Sequence, residues 1–306
     1  MTAPDPRFNA YRADLAASSL KGVVEAPRYA EGALRQVTAS AAWLRRAPGE
    51  DQPIDTEMLF GETARVFDEH EGWAWVQLSG DGYVGYVPAA ALGELLYEPT
   101  HRVSVLRSHV YPTANIKAPP IAALPMNAQV AVVGVEGGFA RLASGGHFYA
   151  GHLAAIDAPE SDFVTVAEHF LGAPYLWGGK TGLGLDCSAL VQIPLNAAGL
   201  ACPRDSDMQE ARLGTPLPLS NPAKGLRRGD LVFWPGHVAI MTDGKTLLHA
   251  SAHHMMVVRE AFDAARRRIA DVGLEIAAVK RLVVRALKNV EQVEQDDDRD
   301  RNAEQP

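Results

Sequence analysis

Cysteine and histidine side chains in the C-terminal half could form a catalytic thiol–imidazole pair. Cys187 lies in "GLDCSALV", after a glycine-rich stretch and before an apolar run that predicts a helix. The free N–H groups of a first helical turn stabilise a thiolate and can bind an oxyanion, so we expect a nucleophile with a lowered pKa. The alternative is an inert, packed thiol, and this is our interpretation of Cys202.

Two histidines on neighbouring predicted strands could supply the proton acceptor and its orienting group. They are His237 and His249. A two-residue Asp243-Gly244 turn would place the imidazoles on opposite faces of the sheet. A three-residue loop at 242–244 would pair the two histidines directly, and this favoured hairpin type is our prediction.

Helices followed by an antiparallel strand meander are predicted to position these side chains. The stretch "SDFVTVAEHFLG" has helical apolar spacing, a serine N-cap and a terminating glycine. The later segments "GDLVFW", "HVAIMT" and "TLLHAS" are typical of strands and are separated by turn signals. The order predicts an α+β domain.

The N-terminal half contains a weak repeat with an offset of 66 residues. "EGWAWVQL" aligns with "GGFARLAS", and at the same offset Tyr83 meets Tyr149. Short segments in which apolar and polar residues alternate, separated by Gly, Pro and Asp, predict two small all-β barrels. Residues 7–20, which precede the repeat, look weakly helical.

Composition narrows the classes of partner and compartment. The chain has 306 residues and a formal net charge of -8, which argues against a nucleic-acid partner. Only two cysteines occur, which suits a reducing compartment. The start has no apolar signal region and no window approaches a membrane span, so no membrane association and a cytoplasmic location are expected. Residues 289–306 are predicted to be a disordered acidic tail.

The residues around these side chains resemble the NlpC/p60 family of papain-like cysteine peptidases. The resemblance rests on "YLWGGKTGLGLDCSALVQ", "RRGDLVFWPGHVAIM" and "LLHAS". It implies an α+β fold, with a papain-like NlpC/p60 catalytic domain preceded by two small all-β SH3-like barrels. The implied boundaries are 1–29 for an N-terminal segment, 30–95 and 96–157 for the SH3-like domains, 158–288 for the peptidase domain and 289–306 for the tail.

The resemblance also implies an activity and a catalytic triad. Cys187 would be the nucleophile, His237 the general base and acid, and His249 the residue that orients it. The chain is similar to cytoplasmic enzymes that hydrolyse the bond between γ-D-glutamate and a diamino acid in peptidoglycan stem peptides. Such enzymes recycle murein peptides, and the resemblance implies no metal or organic cofactor.

A second set of residues is implied to bind the substrate. The stretch "PRDSDMQ" resembles the segment that holds the free amine of L-Ala-γ-D-Glu, which gives Asp205 a charge-pairing role and Ser206 a hydrogen bond. Tyr83 would close this end of the cleft, and Asp186 and Ser188 would contact the substrate. The alternatives are a helix N-cap for Asp205 and a barrel-core aromatic for Tyr83.

Two departures from the family pattern and two rival functions remain at this stage. Ala189 replaces the usual glycine and could narrow the pocket, and Pro194 should kink the nucleophile helix. One rival is an amidase or acyltransferase that uses the same Cys-His pair. The other is a catalytically silent SH3-type binding protein. The predicted partner is a muropeptide or murein stem-peptide substrate, and the sequence leaves protein partners unknown.

Overall fold

The computed structural model describes residues 3–218 and 225–282. The predicted acidic tail, 289–306, lies outside these residues. Along the described chain, an N-terminal segment is followed by two strand-rich units and then by a unit of helices and strands. No helix among the described residues is long and apolar enough to cross a membrane.

Among its described residues the N-terminal segment has no α-helix, and the only helical part of 7–20 is one 3-10 turn, Ser18–Leu20. It contains β1 (Leu15–Ala17), which pairs in parallel with β2 (Arg28–Ala30). The apolar side chains of β1 are buried against Phe67 and Trp75 of the following unit. This packing outweighs the weak local helical preference.

The first strand-rich unit is built from one antiparallel sheet. Its strands are β3 (Ala33–Val37), β4 (Ala41–Arg45), β5 (Ile54–Leu59), β6 (Thr63–His70), β7 (Trp73–Leu78), β8 (Val84–Pro88) and β9 (Leu92–Gly93). They lie in the order β5-β4-β8-β7-β6-β3-β9. Within the described residues the edge strands β5 and β9 do not pair, so the sheet-rich prediction is confirmed but the expected closed barrel is not seen.

The second strand-rich unit divides into two sheets. Its strands are β10 (His101–Val103), β11 (Arg107–Tyr111), β12 (Ala122–Pro125), β13 (Gln129–Val130), β14 (Val132–Glu136), β15 (Phe139–Leu142), β16 (His147–Tyr149) and β17 (Leu153–Ala155). The sheet orders are β13-β10-β17 and β12-β11-β16-β15-β14. Its core is separate from that of the first unit.

The predicted 66-residue offset is found for the first strand of the equivalent hairpins but not for the second. β7 and β15 begin 66 residues apart, as the alignment predicts. Trp73 pairs with Pro88, whereas the equivalent Phe139 pairs with Tyr149. Tyr149 therefore takes the place of Pro88, and its predicted equivalence with Tyr83 was wrong. The second unit has a shorter hairpin, so Tyr83 belongs to a connection that this unit lacks.

The C-terminal unit combines helices with one large antiparallel sheet. Its helices are α1 (Phe163–Glu168), α2 (Cys187–Ala197), α3 (Ser206–Arg212) and α4 (Phe262–Ala270). Its strands are β18 (Lys180–Thr181), β19 (Gly184–Leu185), β20 (Thr215–Pro216), β21 (Asp230–Trp234), β22 (His237–Met241), β23 (Thr246–Ser251), β24 (Met256–Ala261) and β25 (Ala278–Arg281). The large sheet has the order β20-β25-β21-β22-β23-β24. Asp162, rather than the predicted serine, caps α1.

Helix α2 is buried along most of its length against α1 and the sheet. Leu190 packs in one apolar cluster with Val238 and Leu248 of the sheet. Pro194 does not end the helix, which continues to Ala197. A helix embedded in this way holds its N-terminal residue in a fixed position, as a reacting side chain requires.

Candidate active site

Cys187 is the first residue of α2, and its thiol is buried at the helix N-terminus. The Asp186 carboxylate caps the helix by accepting a hydrogen bond of 2.8 Å from the N–H of Ala189. Cys187 is 7% exposed. The backbone N–H of Val238 lies against its sulfur, and Val238 directly follows His237. The predicted nucleophile therefore lies next to the strand that carries the predicted base.

The imidazoles of His237 and His249 are hydrogen-bonded to each other across β22 and β23. Nε2 of His237 lies 2.9 Å from Nδ1 of His249. His249 is only 1% exposed, so its ring is fixed by the surrounding core. Because Nε2 of His237 is engaged, Nδ1 is the ring atom left to exchange a proton with a thiol.

The hairpin that joins these strands differs from the predicted loop at 242–244. Met241 pairs with Leu247 instead of Lys245. The Asp243 carboxylate closes the loop by accepting a hydrogen bond of 2.6 Å from the N–H of Lys245 and one of 2.8 Å from the next N–H. The register is shifted by two residues, and since side chains alternate with period two, both histidines stay on one face. They are diagonal neighbours rather than direct partners.

Burial sets the protonation states of the thiol and the two imidazoles. It lowers the pKa of His237 to about 3 and the pKa of His249 to about 4. Burial also raises the pKa of the Cys187 thiol to about 12, with the Asp186 carboxylate acting in the same direction. In this structure the direction is opposite to the lowered thiol pKa expected from the sequence, because burial outweighs the helix N-terminus. Near neutral pH the buried thiol is thus protonated and both imidazoles are neutral.

Alkylation of Cys187 should therefore accelerate with pH. In a Cys202→Ala background, its rate with iodoacetamide should rise about tenfold per pH unit between pH 7 and 9, because only the thiolate reacts. The rate is followed by mass spectrometry of the labelled protein. A fast rate at pH 6 that stays flat to pH 8 would instead indicate a preformed thiolate–imidazolium pair.

Asp186 and Ser188 are held by the buried guanidinium of Arg204. Arg204 donates hydrogen bonds of 2.9 Å and 2.7 Å to the two carboxylate oxygens of Asp186, and one of 2.8 Å to the Ser188 hydroxyl. The Ser188 hydroxyl in turn donates to Asp186 at 2.9 Å. These contacts fix the first turn of α2 around the thiol. A direct contact between either residue and the substrate stays a prediction.

Replacing Arg204 should cost stability. Arg204→Met leaves the Asp186 carboxylate buried without its partner, a change that typically lowers the free energy of unfolding by about 3–5 kcal/mol. Urea unfolding followed by circular dichroism measures it. The matched control is Arg259→Met, which breaks the 2.8 Å pair with Glu168 on a side chain that is 49% exposed, and it should cost less than about 1 kcal/mol. Equal losses in both variants would contradict the assigned role of Arg204.

Asp205 faces the hairpin of the first strand-rich unit. Its Oδ2 accepts a hydrogen bond of 3.0 Å from the Tyr83 hydroxyl and one of 2.9 Å from the Arg7 guanidinium. Although Asp205 precedes α3, its side chain makes no cap hydrogen bond, so the N-cap alternative is not what its carboxylate does. Ser206 follows as the first residue of α3 and is half-buried. Tyr83 is both a core aromatic, 5% exposed, and a partner of this carboxylate.

The Asp205 carboxylate retains one oxygen for a further partner. Among the described residues, Oδ1 accepts no hydrogen bond, and the side chain is 25% exposed. Burial raises the pKa of Asp205, while the charge of Arg204 and the contacts to Tyr83 and Arg7 oppose this rise. Its carboxylate form is consequently lost at a higher pH than that of an ordinary aspartate. Any cation bound here should be released on acidification.

Strand β5 of the first unit packs directly on the catalytic unit. Gly178 has φ +74° and lies so close to the backbone of Ile54 that a Cβ atom would come within 2.7 Å of its carbonyl oxygen. The hydroxyl of Thr56 accepts a hydrogen bond of 2.7 Å from Arg204. The Glu57 carboxylate accepts one from the N–H of Lys180. The first unit therefore forms one wall of the site.

Sequence reasoning missed three charged residues near the site. Arg204 stands in the quoted "PRDS" segment, and an arginine beside Asp205 was the available signal. Arg7 lies 198 residues from Asp205 and carries no local signal. Glu260 approaches His249 from the strand after it, at a spacing that only the sheet register reveals.

Two parts of the chain match known protein families. Residues 172–268 match the NlpC/P60 family, and residues 44–92 match the bacterial dipeptidyl-peptidase SH3 domain. The C-terminal unit is an NlpC/P60 domain. These two matches and the names of the curated relatives identify the chain as a cysteine-type peptidase, with a bacterial SH3-type domain before the catalytic domain.

Two curated relatives and two solved structures indicate how far the likeness extends. A γ-D-glutamyl-L-lysine dipeptidyl-peptidase of Bacillus subtilis is 26% identical over 226 residues, 65% of this chain and 73% of the relative. A Lysinibacillus sphaericus dipeptidyl-peptidase 6 is 36% identical, over 29% of this chain and 31% of the relative. An NlpC/P60 protein of Bacillus cereus has TM-score 0.68 and 20% identity, covering 81% of this chain and 99% of its own. An NlpC/P60 endopeptidase of Photobacterium damselae subsp. piscicida has TM-score 0.58 and 12% identity, covering 82% and 71%. The structural likeness covers about four fifths of this chain and therefore extends beyond the catalytic unit.

Proposed function

We propose that this peptidase hydrolyses the bond between γ-D-glutamate and a diamino acid in peptidoglycan-derived peptides with a free N-terminal L-Ala. The observation that carries the proposal is the hydrogen bond of 2.9 Å between His237 and His249, on a sheet whose Val238 N–H contacts a thiol buried at a helix N-terminus. The names of relatives that act on γ-D-glutamyl-L-lysine support this substrate class.

Acylation begins with attack of the Cys187 sulfur on the γ-carbonyl carbon of D-glutamate. The thiol proton passes to Nδ1 of His237, while Nε2 remains hydrogen-bonded to His249. Backbone N–H groups at the start of α2 stabilise the oxyanion of the tetrahedral intermediate. Collapse of this intermediate expels the amine of the diamino acid, which takes the proton from His237, and leaves a thioester on Cys187.

Deacylation uses the same groups in the reverse sense. Nδ1 of His237 removes a proton from a water molecule as its oxygen attacks the thioester carbonyl. The Cys187 sulfur leaves as the second tetrahedral intermediate collapses and recovers the proton from His237. L-Ala-γ-D-Glu is released with a free γ-carboxylate, and the neutral thiol and imidazole are restored.

Asp205 binds the free amine of L-Ala. Its Oδ1 accepts a charge-assisted hydrogen bond from the ammonium, while Tyr83 and Arg7 hold Oδ2 at 3.0 Å and 2.9 Å. Ser206 adds a hydrogen bond at the same end. A peptide whose amine is joined to muramic acid carries no charge there and is a poor substrate.

The domain organisation belongs to the same proposal. Two SH3-like domains at 30–95 and 96–157 precede a peptidase domain at 158–288, and the first of them closes the amine end through Tyr83. Selection for a free amine suits soluble fragments of the wall, so murein peptide recycling in the cytoplasm is the proposed context.

A comparison of two substrates tests this function against the amidase alternative. L-Ala-γ-D-Glu-L-Lys and the same peptide attached to N-acetylmuramic acid are incubated with the protein, and products are separated by liquid chromatography. The free peptide should release lysine at least about tenfold faster than the muramyl peptide. Cleavage of the muramyl–L-Ala amide would instead identify an amidase, and equal lysine release would remove the amine site from the proposal.

A further inference from the structure

A fourth residue, Glu260, lies beside the histidine pair. Nε2 of His249 lies 3.2 Å from Oε2 of Glu260, which is carried by β24. His249 pairs with Val258, so Glu260, two residues further on, projects from the same face of the sheet. The geometry of this approach is not yet that of a hydrogen bond, and Nε2 of His249 is buried without a hydrogen-bond partner among the described residues. Such contacts commonly tighten when the substrate binds.

Glu260 is itself held as a carboxylate by an arginine. Arg268 on α4 donates a hydrogen bond of 2.7 Å to Oε2 and one of 3.3 Å to Oε1. Burial acts to raise the pKa of Glu260, but the hydrogen bond and charge of Arg268 outweigh it, and the pKa is lowered overall. His254 also faces this carboxylate, with its Nε2 at 3.6 Å. The groups around Glu260 are thus two imidazoles and a guanidinium.

The direction of the hydrogen bonds depends on this carboxylate. To accept the thiol proton, His237 needs a free lone pair on Nδ1, so its own proton must sit on Nε2. That proton is donated to Nδ1 of His249, which must therefore be unprotonated, and the His249 proton must sit on Nε2. A neutral imidazole holds its proton on the nitrogen that faces an acceptor. At His249 the only such acceptor among the described residues is Glu260.

We propose that Glu260 is a positioning residue that extends the Cys187–His237–His249 arrangement by one carboxylate and fixes the tautomers of both histidines. The expected effect of Glu260 on turnover rests on the proposed function, whereas its expected effect on the histidine tautomers does not. The negative charge also stabilises the imidazolium that His237 becomes when it takes the thiol proton, since Glu260 raises the pKa of both histidines. Arg268 limits that effect by neutralising part of the charge.

The test combines tautomer spectroscopy with kinetics on Glu260→Gln. In the native protein with ¹⁵N-labelled histidine, two-bond ¹H–¹⁵N spectra should show His249 protonated at Nε2 and His237 protonated at Nε2. In Glu260→Gln the His249 signals should shift towards a mixture of tautomers. For L-Ala-γ-D-Glu-L-Lys, kcat should fall by about tenfold to a hundredfold with KM nearly unchanged, as is usual for an orienting partner.

The matched control is Glu168→Gln, since Glu168 is also a carboxylate paired with arginines, Arg228 and Arg259, and does not contact the histidines. It should leave tautomers and kcat unchanged. Unchanged tautomers and kcat in Glu260→Gln would overturn the proposal. So would a loss of kcat accompanied by rising KM, falling Tm and unshifted His249 signals, since that pattern is purely structural. If the native protein fails to cleave the tripeptide, the tautomer spectra still decide the role of Glu260 separately from the proposed function.

Discussion

Cys187→Ala should abolish cleavage of L-Ala-γ-D-Glu-L-Lys, lowering kcat by about 10⁴-fold or more, as loss of a catalytic nucleophile does. Without the sulfur no thioester can form, and His237 has no acidic proton donor to activate. The expected residual activity is what substrate binding and the helix N-terminus provide alone. Lysine release in stopped assays measures this loss.

Cys202→Ala is the matched control, because Cys202 is the other buried cysteine and lies outside the catalytic arrangement. Its thiol donates to the carbonyl of Pro203 at 3.4 Å. This variant should retain kcat within about threefold, the scatter expected for a small core substitution. Comparable losses in both variants would show that the effect of Cys187→Ala is one of folding rather than chemistry.

Asp205→Asn should lower kcat/KM for the free tripeptide by about tenfold to several hundredfold. A charge-assisted hydrogen bond contributes roughly 1.5–3 kcal/mol, and each 1.4 kcal/mol corresponds to about a factor of ten. Acetylating the L-Ala amine of the substrate should cost a similar factor in the native protein. Because both changes break one contact, their effects should not add when combined.

Asp207→Asn is the control for the comparison of Asp205→Asn with acetylation of the substrate. Asp207 is two residues away, is paired with the same Arg7 at 2.8 Å, and has a side chain that is 60% exposed. Its replacement should change kcat/KM by less than about threefold, since exposed ion pairs contribute little. Full additivity of Asp205→Asn and substrate acetylation would show that Asp205 does not contact the amine.

The fold was predictable where the local sequence pattern alone indicates which side chains of an element are buried. The strands β21, β22 and β23 and the helix after Cys187 were visible in the sequence, because each carries its own periodicity and termination signals. The weak helical pattern of residues 7–20 gives only one 3-10 turn, because the conformation of this segment depends on contacts with Phe67 and Trp75, which lie far along the chain. The shorter hairpin of the second unit also broke the alignment of Tyr83 with Tyr149, since a repeat at fixed offset cannot represent a deletion.

The candidate site was predictable for residues close in sequence and less so for long-range partners. The placing of both histidines on one face survived an error of two residues in register, because the alternation of a strand has period two. The thiol pKa was misjudged because burial cannot be read from the eight residues around Cys187. Arg7 and Glu260 reach the site through tertiary contacts and sheet register, which no short motif encodes.

Hydrolysis of L-Ala-γ-D-Glu-L-Lys in H₂¹⁸O identifies the bond that this protein cleaves. If Cys187 attacks the γ-carbonyl group of D-glutamate, mass spectrometry should find L-Ala-D-Glu with one ¹⁸O atom in its γ-carboxylate and unlabelled lysine in equal amount with the native protein, and neither product with Cys187→Ala. Release of free L-Ala beside intact γ-D-Glu-L-Lys, or recovery of the uncleaved tripeptide, would contradict the account.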